Sequence, residues 1–160
     1  MNIQYDKKKT AAAAAGIFAA AVVLWLGITF FANQRVKVID VSSCDRLAAA
    51  GVDYSIDSVN YKYDYISIKG HAYQPGISVD TVETVVVIYD AINDVYYELP
   101  TESVKRTKLT KKANDGYNYD YAQFEAVAFK SKIPDGSRIF ILYRANGSEI
   151  LIETNEAIYF

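Results

Sequence analysis

Apolar and polar positions follow two different rules along this chain. Residues 11–32, AAAAAGIFAAAVVLWLGITFFA, carry no charge, and Thr29 is their one hydroxyl. At ~1.5 Å rise per residue they span roughly 33 Å as a helix, enough to cross a hydrocarbon core of about 30 Å. A secretory signal has a shorter apolar core and small residues at its cleavage site. Here Phe30 and Phe31 occupy that end, which predicts an uncleaved anchor. Beyond a connector at 33–51 the period changes to two. In DYISIKGHAY (64–73), Ile66, Ile68, Gly70 and Ala72 share one face, and Tyr65, Ser67, Lys69, His71 and Tyr73 share the other. That alternation predicts a half-buried strand.

The same reading continues to residue 160. A strand is expected near 54–62. ETVVVIYDA (83–91) is apolar on both faces, as in a central strand, and VYYELP (95–100) follows after the turn AIND. Pro100 ends that strand because it cannot donate to a ladder. Residues 101–116 read as a polar loop, 120–130 as a strand and IPDGS (133–137) as a turn. The last two strands, 138–144 and 149–160, flank Asn146-Gly147, a strong two-residue hairpin signal. DRLAAAG (45–51) reads as a short helical turn ending at Gly51. The expectation is an all-β fold: an immunoglobulin-like β-sandwich of about seven strands at 52–160, behind one N-terminal transmembrane helix.

Charge changes the picture in one respect. Of 17 Lys and Arg and 19 Asp and Glu, only Lys7, Lys8, Lys9 and Asp6 precede residue 33. The remainder is mildly acidic and lacks the basic footprint of a nucleic-acid-binding domain. The lysine cluster against the apolar helix predicts a cytoplasmic N-terminus over 1–10. Arg35, Lys37 and Arg46 on the far side balance its count, but a long C-terminal domain translocates largely regardless of charge. The expected location is the plasma membrane with the C-terminal domain outside. Ala12, Gly16 and Ala20 form a row of small residues at helical spacing. Such rows admit close helix packing, so they are the candidate contact for another membrane protein or a second copy; a plain Ala-rich anchor is the alternative. Cys44 is the one cysteine. It reads as a small buried thiol or as an interchain disulfide partner.

Candidate chemistry is sparse. The one histidine, His71, falls on the outer face of a strand, and neither a nucleophilic triad nor a His/Cys metal site can be assembled around it. Asn114, Asp115, Asn118 and Asp120 offer oxygens for calcium without the EF-hand spacing. No catalytic residue, cofactor or resident metal is expected. Lys105, Arg106, Lys108, Lys111 and Lys112 concentrate positive charge in the 102–116 loop, either to contact phosphate or carboxylate groups or simply as a solvated loop. Tyr117, Tyr119 and Tyr121 share one parity opposite Phe124, Ala126 and Ala128. An extended segment would put all three outside, as an aromatic strip beside the basic loop. Such a strip suits sugar stacking or packing against a sheet edge.

Four segments carry a resemblance: IKGHAYQPGIS, VYYELPTESVKRTKLTK, NDGYNYDYAQFEA and KIPDGSRIFILY. In this order they resemble a β-sandwich module of Gram-positive bacteria. That module is attached to membrane enzymes of surface-polysaccharide and teichoic-acid-type synthesis, including glycosyltransferases and acyltransferases. The likeness covers residues 52–160. His71 departs from it, standing where the module usually has Trp, and the chain carries an anchor in place of an enzyme domain. The resemblance implies fold and neighbourhood and brings no catalytic residues. The expected function is therefore a non-enzymatic, membrane-anchored, extracytoplasmic accessory or interaction module of cell-envelope glycopolymer machinery. The alternative is a carbohydrate-binding module for envelope polymers. Expected partners are the lipid bilayer, a membrane protein or second copy through the helix, and cell-surface polysaccharide, with no nucleic acid.

Overall fold

A computed structural model of the chain describes residues 7–33, 35–77, 82–145 and 147–160. It divides into two compact units, Met1–Gln34 and Arg35–Phe160. The first unit is helix α1, Lys7–Asn33. Its segment Lys7–Phe31 is long and apolar enough to cross a membrane, and none of its most apolar stretch is buried against protein. Ile17, Phe18, Leu24, Trp25, Ile28 and Phe31 are all exposed. A helix that is apolar all round needs an apolar surrounding. Thr29 satisfies its own hydroxyl by donating to the Trp25 carbonyl at 2.9 Å, as a polar group in such a setting must.

The second unit is mostly β. Its strands are β1 (Lys37–Ile39), β2 (Asp53–Tyr61), β3 (Tyr65–Tyr73), β4 (Val82–Asp90), β5 (Val95–Glu98), β6 (Thr101–Val104), β7 (Gln123–Phe129), β8 (Arg138–Ala145) and β9 (Ser148–Ala157), with a short helix α2 (Lys108–Ala113) between β6 and β7. They form two antiparallel sheets, ordered β1-β5-β4-β8-β9 and β2-β3-β7-β6. The predicted alternation of β3 holds in register with β7: Ile66 pairs with Ala128, Ile68 with Ala126 and Gly70 with Phe124. In the first sheet, Val86 pairs with Ile141 and Ile88 with Ile139. Paired residues point to the same face, and all ten belong to one buried cluster or its backbone floor. That core lies between the two sheets.

The chain changes sheet between β5 and β6. Leu99 is buried in the core, its amide donates to the Val86 carbonyl at 2.9 Å, and the Pro100 carbonyl accepts from Val127 at 3.1 Å. The Thr101 hydroxyl accepts the Val86 amide at 3.0 Å and donates to the Leu99 carbonyl at 2.8 Å. A side chain thus replaces the ladder partner that β4 loses as the neighbouring strand departs.

Two expectations need correction here. The described residues contain nine strands rather than about seven, because β1 and β6 lie in stretches read as connector and loop. The connector also does more than join. From β1 at one edge of the first sheet, the chain crosses to β9 at the other edge. There Asp45 bridges Ile150, donating to the Glu149 carbonyl at 2.9 Å and accepting from the Leu151 amide at 3.0 Å. On the way Val41 packs on Val85, Val87, Phe140, Leu142 and Leu151. This strap is why β4 is apolar on both faces: one meets the other sheet, the second meets residues 41–44. Cys44, read as a buried thiol or an interchain disulfide partner, is half-buried on the strap, and burial, then Glu149, pushes its thiol above the ordinary value. The 3-10 turn Leu47–Gly51 follows, matching the expected helical turn. At the predicted hairpin, Ala145 pairs with Ser148 and Gly147 has φ 83°; Asn146 lies outside the described residues.

Candidate functional site: the outer face of the second sheet

β3 directs Lys69, His71 and Tyr73 away from the core, and helix α2 with the loop after it is mounted on the Tyr73 end of that face. The helix is short because its sequence, KLTKKA, holds only one strongly apolar side chain. Leu109 is buried, and it joins Tyr73, Tyr119 and Ala122 in a satellite cluster. Asn114 ends the helix in the left-handed region with φ 48°, which asparagine tolerates better than most residues. Lys111 and Lys112 fall in the last turn, where the helix dipole favours cations.

Tyr119 is the pin of this assembly, contrary to the expected outward strip. It is 1% exposed, with its ring centroid 4.4 Å from that of Tyr73. Its hydroxyl donates to Asp115 Oδ2 at 2.7 Å and accepts from the Gly76 amide at 2.8 Å. Its own amide donates to Thr110 Oγ1 at 2.9 Å, and Thr110 Oγ1 donates to Asp120 Oδ1 at 2.7 Å. Parity failed because residues 114–122 are not extended. Asn114 and Gly116 take positive φ. Asp115 Oδ1 accepts from the Tyr117 amide at 3.1 Å and Asn118 Oδ1 from the Asp120 amide at 2.9 Å, so two Asx turns coil the segment. The alternation of Asn and Asp with tyrosine was the signal for this. The same bonds engage the oxygens of Asp115, Asn118 and Asp120 that were weighed for calcium, and no metal-ligating group of three acidic, His or Cys residues occurs among the described residues.

Tyr117 and Tyr121 do face solvent. Lys105 Nζ sits 5.4 Å from the Tyr121 ring centroid, a cation–π distance. Lys105, Arg106, Lys108, Lys111 and Lys112 are exposed, and none forms an ion pair among the described residues. Seven of the eight expected surface residues are therefore exposed, and Tyr119 is in the interior. The helix-packing candidates Ala12, Gly16 and Ala20 are exposed on α1, with open space around Gly16.

Sequence reasoning missed a groove beside this flank. The β2–β3 register shifts between Ile56 and Ser58, leaving Asp57 as the extra residue of a bulge, and bulges re-aim side chains. Asp57 Oδ1 comes within 3.4 Å of His71 Nδ1, while Asp53 Oδ1 lies 3.9 Å from Nε2. His71 is only 17% exposed, not the free strand residue expected. Next to it a depression of about 230 Å³ runs across four strands, bordered by Asp57, Lys69, Arg106, Gln123 and Glu125. Gly70 and Phe124 lie at its floor. Lys69 Nζ is 3.0 Å from Glu125 Oε2, and Ser67 donates to Glu125 Oε1 at 2.9 Å. Burial raises the Glu125 carboxyl, but the hydrogen bonds from Lys69 and Ser67 outweigh it and hold the group below its ordinary value.

The buried tyrosines give this face an alkaline limit. Burial, then the hydrogen bond to Asp53 Oδ2 at 2.8 Å, pushes Tyr73 up to about 12. Its unfolded value is about 10. A raised folded pKa contributes stability that is complete below about pH 10 and is lost as pH rises toward 12. Denaturation midpoints should fall across that window, and Tyr73→Phe should flatten the fall. Equal slopes for the two proteins would show that Tyr73 ionises freely.

No family model, curated protein or solved structure matches this chain.

Proposed function

We propose that the protein is a membrane-anchored interaction module: α1 spans the plasma membrane, and the β unit stands outside as an accessory to cell-envelope glycopolymer machinery. The observation that carries this reading is α1. It is apolar around its circumference, unburied by protein, and is followed within a few residues by the first strand of a compact β unit. Two antiparallel sheets around one core support assignment of the unit to the immunoglobulin-like sandwiches. The segment resemblance supports the envelope setting, and the exposed cations of α2, without an ion pair among the described residues, suit an anionic envelope surface. The module is not an enzyme in this reading. Gentle detergent extraction from native membranes should recover the chain with a protein partner or a second copy. A chain that leaves the membrane in alkaline carbonate without detergent would refute the anchor; one recovered only as a detergent-bound monomer would refute the accessory role.

A second reading, a carbohydrate-binding module, is favoured by one specific observation. Tyr117 and Tyr121 are exposed beside five cations, one of them already over the Tyr121 ring. Replacing Tyr117 and Tyr121 together by Ala should at least halve retention on purified anionic cell-wall polymer, since aromatic stacking is worth about 1 kcal/mol per face. Unchanged retention would reject it. Tyr119 is left intact in this test because its loss would unseat α2.

A further inference from the structure

We infer that the depression on the second sheet's outer face is a subsite for one anionic monosaccharide unit, a uronate or a sugar phosphate, with Arg106 receiving the anion. The inference rests on the carbohydrate-binding reading and gives it a defined residue set. Three observations converge on the site. First, the depression is built into the sheet. The bulge at Asp57 brings its carboxylate to the rim, and Gly70 lets β2 close tightly on β3 beneath it, since a Cβ there would lie 2.2 Å from the Ser55 carbonyl oxygen and 2.6 Å from the Phe124 ring. Second, its charges are unequally satisfied. Lys69 and Glu125 pair with each other, and Asp57 faces His71. The Arg106 guanidinium, by contrast, has no side-chain hydrogen bond or ion pair among the described residues. Its backbone is fixed, the amide donating to the Asp120 carbonyl at 2.7 Å, and its charge reaches Glu125 through space without a direct pair, so the fork's hydrogen-bond donors start from a stationary base. A planar guanidinium offers parallel donors to a carboxylate or phosphate.

Third, the remaining wall groups suit hydroxyls. Gln123 presents both a donor and an acceptor, and the carboxylates of Asp57 and Glu125 accept from hydroxyl donors. A volume of about 230 Å³ falls below the roughly 300–1,000 Å³ of sites for drug-sized ligands. It has room for one ring and not for a chain. A polymer would therefore place a single acidic unit here and run its neighbours over Tyr121 and Tyr117. The division of labour is specific: the groove selects charge, the tyrosines add sequence-tolerant stacking.

Isothermal titration of the full chain in detergent micelles tests this with four probes: glucuronate, glucose 1-phosphate, glucose and inorganic phosphate. Glucuronate or glucose 1-phosphate should bind at least about tenfold more tightly than glucose, the size of one charge-assisted hydrogen bond, and more tightly than inorganic phosphate alone. Whichever of the two anionic sugars binds better names the anion. Arg106→Ala should remove that advantage, and Arg106→Lys should restore only part of it. Equal affinity for glucose, equal affinity in Arg106→Ala, equal affinity for bare phosphate, or no binding by any probe would each overturn the groove. Polymer retention then separates the two readings. If retention is lost in the Tyr117→Ala/Tyr121→Ala protein but unaffected in Arg106→Ala, the carbohydrate reading stands and the groove falls.

Discussion

Gly70→Ala should destabilise the β unit by about 3 kcal/mol, the upper range for overpacking a filled core. The new methyl would sit 2.2 Å from the Ser55 carbonyl oxygen and 2.6 Å from Phe124 Cζ. Phe124 is itself 2% exposed, so its ring has nowhere to retreat, and the Ser55 oxygen is backbone. Relief requires β2 to move away from β3 where Ile56 pairs with Gly70, beside the bulge that carries Asp57. Loss of stability should therefore come with a loosened His71 environment. Gly51→Ala is the control, since nothing lies within 4 Å of the added atom. Near-ultraviolet circular dichroism of the tyrosines reports on the β unit. A Gly70→Ala midpoint equal to that of Gly51→Ala would mean that β2 and β3 do not approach this closely.

Tyr119→Ala should cost about 3 kcal/mol, at the low end of aromatic truncations, and the loss should be regional. Removing the ring opens the cluster of Tyr73, Leu109 and Ala122 and leaves the Gly76 amide without its 2.8 Å acceptor. Leu109 is the only buried residue of α2, so the helix has little else to hold it. Amide exchange should speed up through 105–122 while β3, β4 and β8 stay protected. Asp115 supplies an independent readout. The Tyr119 hydroxyl is the largest influence holding its carboxyl below the ordinary value, ahead of the Tyr117 amide. A depressed folded pKa contributes stability that is present above the unfolded value and lost as pH falls through the folded one. Tyr119→Phe should therefore raise the Asp115 pKa and reduce the acid sensitivity of the α2 region. Unchanged exchange in 105–122 for Tyr119→Ala would contradict the role of Tyr119 as pin.

How much of this was legible in sequence follows from what each segment buries. β3 buries one face against the other sheet, so its alternation was readable residue by residue. β4 was readable as central, but the reason for its second apolar face was not, because the strap that covers it contributes one buried residue, Val41. β1 is three residues and β6 four, too short for a period to declare itself; both exist because a longer neighbour offers a free edge. In α2 a single leucine among polar residues gives no helical stripe. The tyrosine strip shows the opposite failure. The period-two rule holds only for extended backbone, and the Asx turn from Asn118 to Asp120 coils this segment so that its middle member goes inward. The Asp and Asn residues that produce such turns are visible in the sequence, and their side-chain oxygens suit backbone amides as well as a metal. The groove was hidden for another reason: a bulge is a shift in pairing between two strands, and neither strand's pattern reveals it alone.

In the proposed topology α1 crosses the plasma membrane with the β unit outside. Tyr63 is 99% exposed at the turn between β2 and β3, so Tyr63→Cys in a Cys44→Ser background places one accessible thiol far from any packing. Treated in intact cells with a membrane-impermeant maleimide, that protein should label to the same extent as after lysis. Labelling that appears only after lysis would put the β unit inside and contradict the account.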